Sequence, residues 1–239
     1  MNIQMVDLYS QYLKIKEEID TSIQEVIRSS VFVKGGKVFE FEENLRNYLH
    51  VKEAITCGNG TDALQMTLMA LQLNPGDEVI TTPFTFVSTL EVLVLLKLKP
   101  VLADIDPETF NICPEKLKEK ITSKTKAIVP VHLYGQCAPM EDLMDIANQH
   151  GLFVIEDMCQ ALGTDYINKD ETRVKAGMIG HVACNSFFPT KNLGAFGDGG
   201  AVFTNDEKLG STIRSIANHG MSEKYRYRQI GVNSRLDAM

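Results

Sequence analysis

The amino-acid sequence predicts an α/β fold, a three-layer αβα sandwich built on a mostly parallel sheet. Short apolar runs that suit buried strands alternate along the chain with amphipathic runs that suit helices. Strands separated by helices in this way form parallel sheets that helices cover on both faces. The chain has 239 residues and is 44% hydrophobic, so a large domain of this kind can bury a sizeable core.

The first predicted elements are helices. Apolar side chains recur at helical spacing from Tyr12 to Ile27, and a second helical pattern covers roughly residues 38–49. The alternation of strands and helices begins after them. The apolar run EAITC precedes a helix expected to begin near Thr61, and DEVIT precedes one expected to begin near Thr85.

The second half of the chain continues the alternation. Strands are predicted for the runs KPVLADI, KAIVPV, LFVIED, ACNSFF and GAVFTN. Helices are predicted for Pro139–Gln149 and for Asp206–Asn218. The polar segment Tyr166–Gly177 is predicted to be a surface loop or hairpin.

Charge and cysteine content exclude several classes of protein. The chain has 24 Lys and Arg against 31 Asp and Glu, a net charge of −7, which argues against a nucleic-acid or membrane partner. The five cysteines form no CxxC pair, so no zinc ribbon, disulfide framework or other metal site is predicted. The opening residues lack the apolar core of a signal peptide, and LEVLVLLKLKPVLA is too short to cross a bilayer. We therefore expect a cytoplasmic protein with reduced thiols.

Three loops are expected beyond the carboxyl ends of the strands, where open α/β sheets bind their ligands. The first is CGNGTDAL, residues 57–64. Its glycines let a ligand approach the backbone, and the start of the following helix offers N–H groups to an anion. Thr61 has a second interpretation, as the N-cap of that helix and nothing more.

The same loop has the spacing of a dinucleotide fingerprint. Gly58, Gly60 and Ala63 match the GxGxxA form, but the next strand ends in VITTPF, without the acidic residue that holds a ribose. No Gly-Lys-Ser/Thr sequence follows the glycines, so a Walker loop is missing as well. The pattern favours a single phosphate group over a dinucleotide.

The second loop follows the strand LFVIED. Glu156 and Asp157 end this otherwise apolar strand, and strand alternation points them to opposite sides, so one carboxylate can face a ligand. Gln160, three residues later, can donate to the same ligand. The alternative is that both carboxylates are solvated, or that one caps the next turn.

The third loop is NSFFPTKNLGAFGDGG, in which Ser186 precedes Lys191 by five residues. A serine hydroxyl can bind phosphate, and a lysine amine can form a Schiff base with an aldehyde. The alternative is a buried strand followed by an ordinary loop lysine.

Together the three loops supply a phosphate cradle, a carboxylate for a ring nitrogen and an amine for an aldehyde. Pyridoxal 5′-phosphate (PLP) has all three of these groups. Phe84 and Phe86 in TPFTFVST add aromatic rings, one of which can stack on a pyridine ring. At least one of the two is expected to pack in the core.

The sequence resembles the DegT/DnrJ/EryC1/StrS sugar aminotransferases in order from about Val6 to Met239. The motifs that carry the resemblance are CGNGTDAL, TFVST, VPVHLYGQ, VIEDMCQA, SFFPTKNLGAFGDGGAVFTND and GVNSRLDAM. It implies that residues 1–239 form the PLP-binding large domain of a fold-type I enzyme, similar to aspartate aminotransferase. The family continues past NSRLD into a small C-terminal domain, so the resemblance also implies that this domain is absent from the chain and puts its catalytic competence in doubt.

The resemblance assigns roles around the cofactor ring. Lys191 would bind the cofactor covalently, and Asp157 would pair with the pyridine nitrogen. Gln160 would approach the phenolic oxygen, and Phe86 would stack on the ring.

The resemblance also assigns residues to the phosphate and the substrate. Gly60, Thr61 and Ser186 would hold the cofactor phosphate. Asn233 would reach the phosphate of the neighbouring subunit in a homodimer, and Arg235 would meet the sugar nucleotide. The basic tail from Asn218 onward has no obvious task within its own chain, which fits such a crossing; the alternative is a frayed terminus.

The activity that the resemblance implies is transfer of an amino group, with glutamate as the expected donor, to a nucleotide-linked keto sugar for surface polysaccharide or sugar-derivative biosynthesis. Within the family the sequence is most similar to enzymes that aminate the 3-keto position of UDP-linked N-acetylated sugar uronates. Two alternatives are a regulatory relative without catalysis and a PLP-dependent sugar dehydratase. The lysine at position 191 favours the aminotransferase, because histidine replaces it in the dehydratases.

Overall fold

A seven-stranded sheet forms the centre of the computed structural model, which describes residues 5–239. The first four residues, part of the opening segment and of the domain predicted for 1–239, lie outside the described residues. The strands are β1 (Glu53–Cys57), β2 (Glu78–Thr81), β3 (Lys99–Leu102), β4 (Thr125–Val129), β5 (Phe153–Asp157), β6 (Asp165–Ile167), β7 (Arg173–Lys175), β8 (Val182–Ser186), β9 (Gly200–Thr204), β10 (Met221–Glu223) and β11 (Arg226–Tyr227).

The sheet is mostly parallel, as predicted. Its order is β1-β9-β8-β5-β4-β2-β3. Strand β9 runs antiparallel to both of its neighbours, and the other neighbouring pairs are parallel. The hairpin predicted within residues 166–177 is confirmed as β6–β7, and β10–β11 is a second hairpin that the sequence pattern did not indicate.

Helices pack on both faces of the sheet. They are α1 (Leu8–Lys14), α2 (Lys16–Ser29), α3 (Gly36–Leu49), α4 (Gly60–Ala70), α5 (Ser88–Leu95), α6 (Pro114–Lys118), α7 (Met140–His150) and α8 (Glu207–Ile216). Strand alternation divides the core between the faces: Ala127 and Val129 of β4 pack in a cluster with α4, α5 and α8, whereas Ile128 packs with α7 on the other side. The predicted three-layer arrangement follows from this alternation.

Two helical predictions differ from the structure in where the helices begin and end. The pattern from Tyr12 to Ile27 spans two helices, because Ile15 leaves helical geometry, with φ −124° and ψ 18°. Helix α5 begins at Ser88, three residues after Thr85, because Thr82 Oγ1 accepts from the Phe84 amide (3.2 Å) in a turn. In residues 5–239 no helix is both long and apolar enough to span a bilayer.

Candidate active site

Three of the strands end at the same edge of the sheet. Strand β9 is antiparallel to both β1 and β8, and β8 is parallel to β5, so β1, β8 and β5 all run in one direction. Their carboxyl ends carry the glycine loop 57–60, Ser186 and Asp157. The sheet topology therefore brings the three predicted loops together.

The glycine loop lies directly against the end of β8. A methyl group on Gly60 would lie 2.7 Å from Ser186 Cβ and 3.3 Å from Cys159 Sγ, so the loop reaches this position only with glycine. Gly60 is the first residue of α4, where backbone N–H groups have no partner inside the helix. Ser186 Oγ accepts from the Phe188 amide (3.2 Å) and keeps its own proton to donate.

Thr61 is not the N-cap of α4. Asn59 holds that position, and its Oδ1 accepts from the Asp62 amide (2.8 Å). Thr61 follows as the second helical residue, and its hydroxyl makes no hydrogen bond to any of the described residues. The capping alternative is therefore wrong, and the hydroxyl is available to a ligand.

Asp157 and Glu156 are both buried, so the solvated alternative is wrong for each of them. Asp157 is 5% exposed; its Oδ2 accepts from Thr89 Oγ1 (3.1 Å) and its Oδ1 from the Cys159 amide (3.2 Å). Glu156 points to the opposite side of β5 and bonds to His132. Of the two carboxylates, Asp157 lies on the side of Thr89, and its bond to the Cys159 amide caps the turn after β5, as the second alternative held.

Gln160 lies close to Asp157 along the same turn. Its Oε1 accepts from the Tyr134 amide (2.8 Å), which fixes the orientation of the side chain. The amide nitrogen of Gln160 then remains as a donor for a ligand oxygen.

Phe86 presents its ring to solvent beside these groups. It is 69% exposed and Phe84 is 41% exposed, so the expectation that at least one of them packs in the core is wrong. The Phe86 carbonyl accepts from the Thr89 amide (3.4 Å), and Thr89 holds Asp157. An exposed aromatic ring three residues before the threonine that bonds to Asp157 can cover the face of a planar ligand.

Lys191 is half-buried in a turn that its amide closes onto the Phe188 carbonyl (2.8 Å). Lys191 lies in the loop that follows the carboxyl end of β8, five residues after Ser186. Gly194 allows this loop to fold back, since a methyl group there would lie 2.2 Å from the Pro189 carbonyl oxygen. The loop therefore begins at the edge of the sheet where Ser186 and Asp157 lie.

Cys159 is a site residue that the sequence analysis missed. Its sulfur lies against Gly60, and burial and the neighbouring Asp157 carboxylate raise its pKa well above the usual range of a thiol, against the smaller opposing effect of Lys191. A protonated thiol is a poor nucleophile, so Cys159 does not compete with Lys191 for an aldehyde.

Asn233 and Arg235 do not join the other predicted residues. Asn233 is exposed and pairs through its backbone with Asn218. Arg235 lines a separate cavity of about 240 Å³ with Arg214, which also bonds to Glu42 (2.8 Å).

The basic tail from Asn218 onward forms hydrogen bonds that support its own chain, contrary to the expectation from the sequence. Ser234 is buried, accepts from the Gly58 amide (2.9 Å) and donates to Asp62 (2.6 Å), so it supports the glycine loop. Further along, the Ala238 amide donates to the Phe32 carbonyl (2.9 Å). The frayed-terminus alternative is wrong for this segment.

These groups fit PLP. The Gly60–Ser186 contact leaves helix N–H groups and two hydroxyls for a phosphate, while a buried carboxylate and the loops that carry an exposed aromatic ring and an amine lie at the same edge. Each matches one chemical feature of the cofactor. Asp157 accepts one bond at each oxygen, from Thr89 Oγ1 and the Cys159 amide, and each oxygen keeps a lone pair for a ligand.

Replacing Gly60 with alanine should weaken cofactor binding about 5- to 150-fold, because overpacking of this size costs about 1–3 kcal/mol. The control is Gly36→Ala: Gly36 is likewise the first residue of a helix, but nothing lies within 4 Å of an added methyl group. Titration of each variant with PLP, followed by absorbance, measures the affinity. Equal PLP affinities in the two variants would contradict a phosphate site at the Gly60–Ser186 contact.

The chain is similar along almost its whole length to relatives of known description. The chain is 48% identical over 99% of its length to the UDP-2-acetamido-2-deoxy-3-oxo-D-glucuronate aminotransferase of Pseudomonas aeruginosa, and 49% identical over all of its length to the pleiotropic regulatory protein of Geobacillus stearothermophilus. It spans 65% and 63% of the lengths of these two relatives.

The fold is also similar to that of solved structures. The crystal structure of NtdA from Bacillus subtilis with bound cofactor PMP superposes with a TM-score of 0.88 at 35% sequence identity, over 100% of this chain and 54% of that one. Residues 13–239 match the model of the DegT/DnrJ/EryC1/StrS aminotransferase family, and the chain belongs to that family.

Proposed function

We propose that these residues are the PLP-binding large domain of an aminotransferase that acts on a nucleotide-linked keto sugar. The observation that carries the proposal is that Asp157 and the Gly60–Ser186 contact lie at one edge of the sheet, where the loop that carries Lys191 begins. The description of the Pseudomonas relative supports the sugar substrate, and the PMP of NtdA supports the cofactor.

The residues of the site divide by the part of PLP that each would hold. Gly60, Thr61 and Ser186 would bind the phosphate, and Asp157 would bind the ring nitrogen. Gln160 would bind the phenolic oxygen. Phe86 would stack on the ring, and Lys191 would bind the aldehyde carbon. When bound, PLP supplies an electron sink that stabilises a carbanion at the α-carbon of an amino acid.

The side chains of the site would stabilise charge, move a proton and exclude water. The Asp157 carboxylate, oriented by Thr89, would keep a proton on the ring nitrogen because an opposite charge at close range favours the charged form. Once the amino donor had displaced Lys191 from the aldehyde carbon, the freed Nζ would take the proton from the donor's α-carbon and return it to that former aldehyde carbon. Phe86 would cover one face of the ring and limit the access of water.

The finer proposals concern the two substrates. We propose glutamate as the amino donor and a UDP-linked 3-keto sugar uronate as the acceptor, in a cytoplasmic pathway toward a surface polysaccharide or sugar derivative. Arg235 would contact an anionic group of that sugar nucleotide. The regulatory alternative gains support from the description of the Geobacillus relative, and the intact Lys191 supports the enzyme.

The test of the proposed function is an absorbance scan of the purified protein with PLP, before and after addition of glutamate. Binding should give an absorption band of the cofactor joined to Lys191, and glutamate should remove this band as the amino group transfers. The control is Lys169→Ala. Lys169 is an exposed lysine that pairs with Asp142, and it lies between β6 and β7, outside the three loops of the site. Binding of PLP with no response to glutamate or other amino acids would favour the regulatory alternative.

We also propose a homodimer in which Asn233 reaches the partner's cofactor phosphate. Mixing Lys191→Ala subunits with Asn233→Ala subunits tests it. If the site is shared, one site of every mixed dimer keeps both native residues, so about a quarter of the wild-type activity should return in a symmetric dimer. If Asn233 serves its own chain, no site is intact and mixing restores nothing.

A further inference from the structure

The side of β5 that faces away from the cofactor site carries a second carboxylate. Glu156 is fully buried and accepts from the backbone amides of Gly177 (2.9 Å), Ile179 (2.8 Å) and Gly180, and from the ring of His132. The proposed chemistry uses none of these groups. A buried carboxylate with four donors is held in one orientation, because any other orientation leaves buried N–H groups without partners.

His132 is equally buried and has one tautomer in this network. Its Nδ1 accepts from the Ala138 amide (3.1 Å), so Nε2 carries the proton and donates to Glu156 Oε2 at 2.7 Å. The Glu156–His132 pair therefore joins the end of β5 to the segment from Pro130 to Ala138.

The backbone extends this connection to the site. The His132 amide donates to the Asp157 carbonyl (2.9 Å), and the Asp157 amide donates to the Pro130 carbonyl (2.9 Å). The loop between His132 and Ala138 also carries Tyr134, whose amide orients Gln160 (2.8 Å). Tyr134 has a φ of 53°, a left-handed conformation that is unfavourable for tyrosine and needs a rigid surrounding.

We propose that the Glu156–His132 pair is the positioning unit of the site: it sets the orientation of both Asp157 and Gln160 toward the cofactor. The inference rests on the proposed cofactor binding. The pair does not contact the cofactor. It acts through the β5 backbone, which turns Asp157 inward, and through the loop that holds Tyr134 against Gln160.

Two variants test the pair. Glu156→Gln keeps the shape but replaces one acceptor oxygen with a donor, and His132→Gln is a milder change that keeps a donor and an acceptor. The matched control is Glu78→Gln, which removes the charge of another buried carboxylate, bonded to Thr122 and Lys99 at the amino end of β2. Thermal unfolding, PLP affinity, the absorption spectrum of bound PLP and kcat per bound PLP are measured for all three.

A positioning role predicts a specific pattern. In both test variants kcat per bound PLP should fall about 10- to 100-fold, since displacements of about 1 Å have such effects. The spectrum of bound PLP should also move toward that of an Asp157→Asn protein. Glu78→Gln should unfold at a lower temperature with a native spectrum and native kcat.

The opposite pattern would overturn the inference. If the test variants lower only the unfolding temperature, as the control does, the pair is structural. If Glu156→Gln does not fold, His132→Gln decides by the same two readouts. Failure of the wild-type protein to bind PLP is a separate result, which overturns the proposed function and this inference together.

Discussion

Replacement of Lys191 with alanine should abolish amino transfer, with a loss of about 10⁴-fold or more, because one side chain supplies both the attachment of the cofactor and the base for the α-proton. The fold should be unaffected: Lys191 is half-buried in a loop and forms no ion pair with any described residue. Steady-state rates measure the effect, and Lys169→Ala controls for the loss of a lysine charge at an exposed position.

Chemical trapping gives an independent readout of Lys191. Borohydride reduction of the PLP complex should attach a pyridoxyl group irreversibly to Lys191, and peptide mapping should find it there and nowhere in the Lys191→Ala protein. The structural reason for this expectation is the place of Lys191 in the loop that follows the carboxyl end of β8, five residues after Ser186. A label on another lysine would show that the cofactor binds elsewhere.

Much of the site could be predicted because its residues follow strand ends. Strand periodicity located the ends of β1 and β5, whereas β8 ends at Ser186, two residues before the predicted run ACNSFF does. The sheet order then brings Ser186 and Asp157 to one edge. Alternation also separated Glu156 from Asp157 correctly. These features depend on local patterns that a sequence displays.

The missed features depend on contacts between distant segments or on ligand-facing surfaces. The partners of Glu156 lie 24 residues before it, at His132, and 21 to 24 residues after it, and no local pattern marks them. That Phe84 is exposed as well as Phe86 was missed for another reason: aromatic residues of a binding face are of the same types as aromatic residues of the core. Sequence periodicity cannot separate the two, since both are apolar.

Replacement of Asp157 with asparagine should reduce amino transfer about 10²- to 10³-fold while the protein still folds and binds PLP, because the ring nitrogen loses its fixed opposite charge. Asparagine has nearly the same shape as aspartate, and its amide can still bond to Thr89 and to the Cys159 backbone. The measurements are kcat, PLP affinity and the unfolding temperature. Asp206→Asn is the control, because asparagine caps a helix as well as aspartate does and Asp206 caps α8.

The decisive comparison for Asp157 is with its neighbour. Glu156 is adjacent in sequence and has the same charge, yet all of its hydrogen bonds lie on the opposite side of β5, so it cannot replace Asp157 at the ring nitrogen. The chain therefore offers no second carboxylate at this end of β5 among the described residues. Near-native turnover in Asp157→Asn would mean that the ring nitrogen does not lie against β5, and that the cofactor orientation assigned to this edge of the sheet is wrong.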